Sequence, residues 1–290
     1  MTEEERQSIG DLIAEVTRTL TSAGVPEARR EAASLVSHVI ARDRTFLITH
    51  PEATLDASDV RRLRDLVERR AAGEPLQYIT GHQEFYGLDF EVTPDVLIPR
   101  PETELLVETA LELLDGDNEP AFACDVGTGS GCIPIAILHE RQRARALGLD
   151  VSTKALEVAA RNAYRLGVSE RLALVASDCF ASLNSEAARF TLIVSNPPYV
   201  AADALAGLQR EVRDYEPRVA LSPGADGLSI IQRLLADAPR FLKTGGHLLL
   251  EIGFDQHEAV RGLIDPQTWR LLEIHKDLQG IPRTVALLKR

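Results

Sequence analysis

The sequence predicts an α/β chain: a doubly wound, mostly parallel sheet of seven strands, preceded by a small all-helical domain. Three observations carry that expectation. Between residues 121 and 288, β-rich apolar runs alternate with stretches of helical periodicity, the pattern of parallel strands joined by crossover helices. One run, Thr191-Leu192-Ile193-Val194-Ser195, is apolar almost throughout, as a strand buried on both faces must be, and stops at Asn196-Pro197-Pro198-Tyr199. Before residue 80, apolar residues recur mainly at helical spacing.

Taken in order, Ile9, Leu12, Ile13, Val16 and Leu20 predict an amphipathic helix over about residues 3 to 23, ended by Gly24. Pro26 opens a second helix carrying Ala32, Leu35, Val36, Val39 and Ile40. Arg44 to His50 is a short apolar piece, and Ser58 or Asp59 caps a further helix with Val60, Leu63, Leu66 and Val67 inward. Gln83–Tyr86 and Asp89–Val92 flank Gly87-Leu88, which suits a type II′ hairpin. The expected organisation is a helical substrate-recognition domain over 1–80, a hairpin linker over 81–93 and a catalytic α/β domain over 94–290.

Pro101 starts a helix that runs through Leu114 until Asp115-Gly116 stops it. Strands follow over 121–126, 144–149, 172–176, 190–195 and 247–252, with helices over 132–139, 153–166, 229–242 and 255–264. Strands over 270–275 and 284–288 are joined by too few residues for a crossover helix, so they should pair antiparallel near one edge.

Net charge is −12 and neither half of the chain is basic, which argues against a partner bound chiefly through phosphates, nucleic acid included. The densest basic patch, Arg61, Arg62, Arg64, Arg69 and Arg70, reads as a solvated helix face or as a partner contact. No apolar run is long enough to span a membrane, and the polar start Thr2-Glu3-Glu4-Glu5-Arg6 is no signal peptide. Cys124, Cys132 and Cys179 lack CxxC spacing, and the seven histidines form no cluster, so free thiols in the cytoplasm and no metal are expected.

Asp125-Val126-Gly127-Thr128-Gly129-Ser130-Gly131 lies between a predicted strand and helix. Glycines there permit a tight turn and close backbone approach, while the helix start presents free N–H groups. The GxGxG spacing lacks the Lys-Ser/Thr of a phosphate-cradling loop. Asp150, ending the next strand, can accept both ribose hydroxyls of a nucleoside, and Asp178, ending the third, can receive an adenine amino group. A nucleoside without phosphates fits, and S-adenosylmethionine is one. Asn196 sits where a parallel sheet binds ligands. Its oxygen and the Pro197 carbonyl can hold a planar NH2 group while Tyr199 packs on its face; taken alone, a capped strand end explains the same residues as well.

These segments resemble class I S-adenosylmethionine-dependent amino-methyltransferases of Rossmann-like fold, whose Asn-Pro-Pro-Tyr-type tetrapeptides serve enzymes that methylate planar nitrogens. Gly73-Glu74-Pro75-Leu76-Gln77-Tyr78-Ile79-Thr80-Gly81, Leu97-Ile98-Pro99-Arg100-Pro101-Glu102-Thr103-Glu104 and Tyr215-Glu216-Pro217 narrow the resemblance to bacterial HemK/PrmC-type release-factor glutamine methyltransferases, over nearly the whole chain. The resemblance implies methylation of the glutamine amide nitrogen in the Gly-Gly-Gln motif of class I release factors, with S-adenosylhomocysteine as product. By the same resemblance, Gly127, Thr128, Gly129, Ser130, Gly131, Asp150, Asp178 and Cys179 contact the cofactor, and Asn196, Pro197, Pro198 and Tyr199 hold the glutamine. The family often has a bulky aromatic where this chain has Cys179, and the sequence leaves open whether Phe180 takes its place. Glu251, at a strand end, either faces the site or partners a nearby arginine. Ribosomal-protein glutamine methyltransferases and nucleic-acid amino-methyltransferases share the tetrapeptide. Pro101-Glu102-Thr103-Glu104 speaks against the first and the acidic charge against the second; intact Asn196 and glycines speak against an inactive cofactor-binding module.

Overall fold

Ile9, Leu12, Val16 and Leu20 form one buried stripe of the first helix, α1 (Ile9–Ser22), so its apolar spacing is its packing face. The computed structural model describes residues 7–114, 120–184 and 190–290. They fall into two units: one holds the described residues up to Gly81 together with Gln209–Tyr215, the other His82–Leu208 and Glu216–Arg290.

In the first unit, α1 begins at Ser8, whose hydroxyl accepts the Asp11 N–H at 3.2 Å; part of the expected start near residue 3 lies outside the described residues. Next come α2 (Ala28–Ile40), α3 (Arg44–Thr49), α4 (Ala57–Ala71) and α5 (Leu76–Thr80). The α4 cap is Asp56 and not Ser58 or Asp59. Those two residues supply the free N–H groups of the first turn, and Asp56 accepts both, at 2.9 and 2.8 Å. Leu20, Ala32, Leu35, Val36 and Leu63 are completely buried in one core. The arginine patch of α4 is largely spoken for: Arg70 is buried and ion-paired to Glu31 and Glu211, Arg69 to Glu74, and Arg64 to Glu15.

The second unit opens with a hairpin, β1 (His82–Phe85) and β2 (Leu88–Glu91). Its loop is Tyr86-Gly87, one residue earlier than expected. Both have positive φ, 54° and 71°, so the turn is of type I′ geometry rather than II′. Phe85 and Phe90 are buried edge to face, with centroids 6.1 Å apart, in a core shared with Leu106, Ile135 and Ile137. A 3-10 turn, Pro101–Thr103, leads into α6 (Glu104–Leu114); the expected stop at Asp115-Gly116 lies outside the described residues.

Then come β3 (Phe122–Val126), α7 (Cys132–Glu140), β4 (Arg145–Asp150), α8 (Thr153–Arg165), β5 (Leu172–Ala176) and β6 (Phe190–Ser195). Two short helices that the sequence did not announce follow, α9 (Arg210–Tyr215), part of the first unit, and α10 (Arg218–Leu221). The chain continues with α11 (Ser229–Asp237), β7 (Leu242–Glu251), α12 (His257–Leu263), β8 (Trp269–Lys276) and β9 (Pro282–Lys289). Leu242, expected to end a helix, starts β7, because Pro239 cannot continue the helical ladder. Strand order is β5-β4-β3-β6-β7-β9-β8, parallel except for β9, which runs antiparallel to β7 and β8. From β3 the chain winds outward through β4 and β5, then returns to place β6 on the other side of β3. The crevice at the C-terminal ends of β3 and β6 is therefore the point where the winding reverses, where such sheets bind ligands. No helix among the described residues is long and apolar enough to cross a membrane.

Candidate active site

That crevice holds a cavity of about 400 Å³. The loop after β3 contributes Gly127 and Gly129, and β4 ends in it with Asp150. Asp178 and Cys179 come from the segment after β5, and Asn196, Pro197 and Pro198 from the segment after β6. Asp95, Val96 and Leu97 from one loop and Pro217, Val219 and Pro223 from another complete its walls. Among the described residues no lysine or arginine lines it.

Gly127 and Gly129 both have positive φ, 80° and 54°; a Cβ at Gly129 would meet nothing within 4 Å, and one at Gly127 only the Asn196 carbonyl oxygen at 4.0 Å, so the backbone itself forms the wall. Gly131 serves packing: a Cβ there would press on Ile135 and Ala159 at 3.0 and 3.2 Å. Thr128 and Ser130 are buried behind the loop and do not line the cavity. Asp150 accepts Gly129 N–H at 2.8 Å and Ser152 N–H at 2.9 Å, fixing the loop to the β4 end. Burial pushes the Asp150 carboxyl up, and backbone N–H groups of Ser152, Gly129 and Val151 oppose it. Asp125 is wholly buried with neither oxygen hydrogen-bonded; burial raises its pKa to about 7, with the Thr128 hydroxyl close enough to oppose the shift. Asn162, a buried residue of α8 that the sequence did not single out, braces the same loop. Its Nδ2 donates to the carbonyls of Ser130 and Glu91, both at 2.9 Å, and its Oδ1 accepts Glu91 N–H.

Asp178 pairs with Arg233 at 2.9 Å. Cys179 adopts a left-handed conformation (φ 48°) at the cavity edge, and burial raises its thiol pKa. Phe180 points away, stacked on Phe241 in the core with centroids 4.7 Å apart, so it does not replace an aromatic at position 179. The apolar walls on this side are Val151, Ala155 and Ile230.

The Asn196 segment is held from several directions. Ser195 donates through its hydroxyl to the Val126 carbonyl at 2.6 Å, tying the end of β6 to the end of β3. Asn196 Nδ2 donates to the Thr103 hydroxyl at 3.1 Å. Gln256 donates to the Tyr199 carbonyl at 3.0 Å. Gly227 packs so closely beneath that carbonyl that a Cβ would lie 2.3 Å from it. Tyr199 itself is not among the cavity walls; burial pushes its phenol upward, and the Glu251 charge adds to this. Arg100 and Glu216 form an ion pair with the Glu216 carboxylate buried, and Glu216 also accepts Ile98 N–H. The pair links the two loops whose residues wall the cavity.

A family model described as PrmC N-terminal domain matches residues 11–81, and one described as Methyltransferase small domain matches residues 102–211. A release factor glutamine methyltransferase of Nitratidesulfovibrio vulgaris is 42% identical over 276 residues, covering 94% of this chain and 92% of its own. One of Burkholderia pseudomallei is 46% identical over 257 residues, covering 87% and 89%. A solved methyltransferase from Pyrococcus furiosus covers 79% of this chain and 98% of its own at a TM-score of 0.52 and 17% identity, a likeness of fold.

Proposed function

This chain belongs to the release factor glutamine methyltransferase family, and we propose that it transfers a methyl group from S-adenosylmethionine to the side-chain amide nitrogen of the Gly-Gly-Gln glutamine in class I peptide chain release factors. The observation that carries this reading is that Asn196, Pro197 and Pro198 share one cavity with Gly127, Gly129 and Asp150. A group that can hold an amide and a loop that can hold a nucleoside thus face the same space.

The residues fit the cofactor. The volume lies within the range of small-molecule sites. Each Asp150 oxygen that accepts one backbone N–H keeps a further lone pair for a ribose hydroxyl. Two side-chain-free glycines, apolar walls at Val151 and Ile230, and walls without a basic residue among the described residues suit a nucleoside that carries no phosphate.

S-adenosylmethionine supplies an electrophilic methyl carbon: an N–C bond forms as the C–S bond breaks, and sulfur keeps the electron pair. An amide nitrogen is a weak nucleophile because its lone pair is delocalised into the carbonyl. Asn196 Oδ1 and the Pro197 carbonyl would accept the two N–H hydrogens, favouring positive charge on that nitrogen and fixing its direction. Tyr199 would support the segment from behind. No general base is required, because the protonated N-methyl amide is strongly acidic and loses its proton to water. Alignment is then the main device, and such positioning supplies up to roughly 7–11 kcal/mol of a barrier, with an electrostatic contribution from the two oxygens.

The test is incubation of the purified chain with methyl-labelled S-adenosylmethionine, intact release factor and ribosomes, followed by mapping of the label. Label on the Gly-Gly-Gln glutamine is the expected result. Label confined to a ribosomal protein or to nucleic acid would overturn it.

A further inference from the structure

Asn162 is the one polar member of the buried stripe of α8, beside Ala155, Val158, Ala159 and Ala163, and is itself completely buried. A buried amide costs stability unless its donors and acceptor are met. Here they are. Nδ2 donates to the Ser130 and Glu91 carbonyls, both at 2.9 Å, and Oδ1 accepts Glu91 N–H at 2.8 Å and Arg165 Nη1 at 3.5 Å. This pattern fixes the orientation of the carboxamide: turned over, it would set NH2 against Glu91 N–H and its oxygen against two carbonyls.

Both partners lead directly into cavity walls. Ser130 lies between Gly129, which lines the cavity, and Gly131. Glu91 ends β2, and after Val92-Thr93-Pro94 the chain forms the wall Asp95-Val96-Leu97. Close approach of α8 brings Asn162 within reach of the loop. A Cβ at Gly131 would stand 3.2 Å from that of Ala159, which lies on the same helix face as Asn162 three residues later. From this geometry, and resting on the reading of the cavity as an S-adenosylmethionine site, we infer that Asn162 is a positioning residue for the cofactor. It ties the glycine loop and the segment entering residues 95–97 to one point on α8, and so fixes the separation of two walls of the site. Asn162 itself does not line the cavity.

The hairpin has other ties to α8, Arg161 to Glu91 at 2.8 Å and Arg165 to Asp89 at 2.9 Å. These are part-exposed ion pairs, which hold weakly, and they join the hairpin alone. Asn162 joins the hairpin and the loop together. Without its carboxamide, the Ser130 carbonyl and both backbone groups of Glu91 lose a buried partner, and movement of the loop or the hairpin must replace it. The loss therefore falls on cofactor binding. Asn196 keeps its own tie to Thr103, so turnover by the loaded enzyme is spared.

The full chain is titrated with S-adenosylmethionine and S-adenosylhomocysteine by calorimetry, well below the Tm of each variant, and assayed on intact release factor at saturating cofactor. Asn162→Ala and Asn162→Asp should each raise both Kd values about tenfold or more, the scale of one unmet buried hydrogen bond, with kcat within about twofold of the parent. Asn162→Asp keeps the shape and the acceptance from Glu91 N–H but sets an oxygen against two carbonyls, so a role in packing alone would spare it. Phe85→Leu loosens the core beneath the same hairpin without touching these bonds. Its Tm should fall while both Kd values stay those of the parent. A second readout needs no variant. Coupling is reciprocal, so saturating S-adenosylhomocysteine should slow hydrogen exchange at Glu91 N–H by about tenfold. If the parent binds neither ligand, the cofactor reading of the cavity falls and this inference with it. If the parent binds them and both Asn162 variants bind as tightly, the cavity reading stands and the positioning role is overturned. An equal loss of affinity in Phe85→Leu, or Glu91 exchange that ligand leaves unchanged, overturns it too.

Discussion

Asn196 has one end tied to Thr103 and the other available to a ligand, so removing it should cost turnover rather than binding. Asn196→Ala is expected to lower kcat about 10²–10³-fold, with cofactor affinity by calorimetry little changed; a variant that keeps most of its activity would refute the clamp. Gly227 is a stricter position. Its φ is +71° and its missing Cβ makes room for the Tyr199 carbonyl, so Gly227→Ala must displace the segment after Asn196. We expect kcat to fall by more than tenfold while circular dichroism keeps the spectrum of the parent; unchanged kinetics would show that the segment is not held from below. Asp125 bears on stability. Its pKa is raised to about 7, whereas an unfolded carboxyl ionises near pH 4. Between those values the native chain keeps a proton that the unfolded chain has lost, so this contribution is full below about pH 4 and is lost as pH rises through about 7. Asp125→Asn removes that loss. Its Tm should exceed the parent's most at pH 8, by roughly 2–4 °C for each kcal/mol recovered, and the gap should close toward pH 4. Parallel Tm profiles would contradict it.

At the scale of elements, the cavity depends on two loops joined by Arg100 and Glu216. Arg100→Ala removes one partner of the buried Glu216 carboxylate, and breaking a buried pair costs up to about 3–5 kcal/mol; partial exposure of Arg100 puts the expectation at the lower end. Denaturant titration should show the loss, and cofactor titration a weaker Kd. A variant with parental stability and affinity would mean that the pair is ornamental. Elements with strong periodicity were legible in advance: β6 is buried along its whole length, and the run from Thr191 to Ser195 announces that. α9 was not, because Arg210-Glu211-Val212-Arg213-Asp214-Tyr215 carries a single aliphatic residue and no apolar face. Of the site, the glycines, Asp150 and Asn196 declared themselves by residue type at strand ends. Glu251 declared itself only as a strand end, and Thr103 and Asn162 did not, since their contacts depend on which elements pack together, which alternation alone leaves undetermined.

For the whole molecule, the division of the chain decides which truncations are sensible. Phe85 and Phe90 sit in the core of the second unit, so a chain beginning at Thr93 would lose both; losing one such side chain costs about 3–5 kcal/mol. A chain beginning at His82 keeps them. We expect the His82 form to fold and bind S-adenosylmethionine by circular dichroism and titration, and the Thr93 form to do neither. If the helical unit grips the protein substrate, the His82 form should methylate intact release factor far more slowly, yet lose little on a short Gly-Gly-Gln peptide. Equal rates on intact release factor would remove that role.

The position of β9 has a consequence for how the sheet comes together during synthesis. It lies between β7 and β8 although it follows both in sequence, and its Val285 and Leu287 are wholly buried. Until residues 282–289 have been made, a growing chain carries β7 with one open edge and β8 with no partner at all. An unpaired apolar edge invites pairing with another chain. Ribosomes paused before Pro282 should therefore hold a nascent chain that engages chaperones, and passage of that one strand should end the engagement.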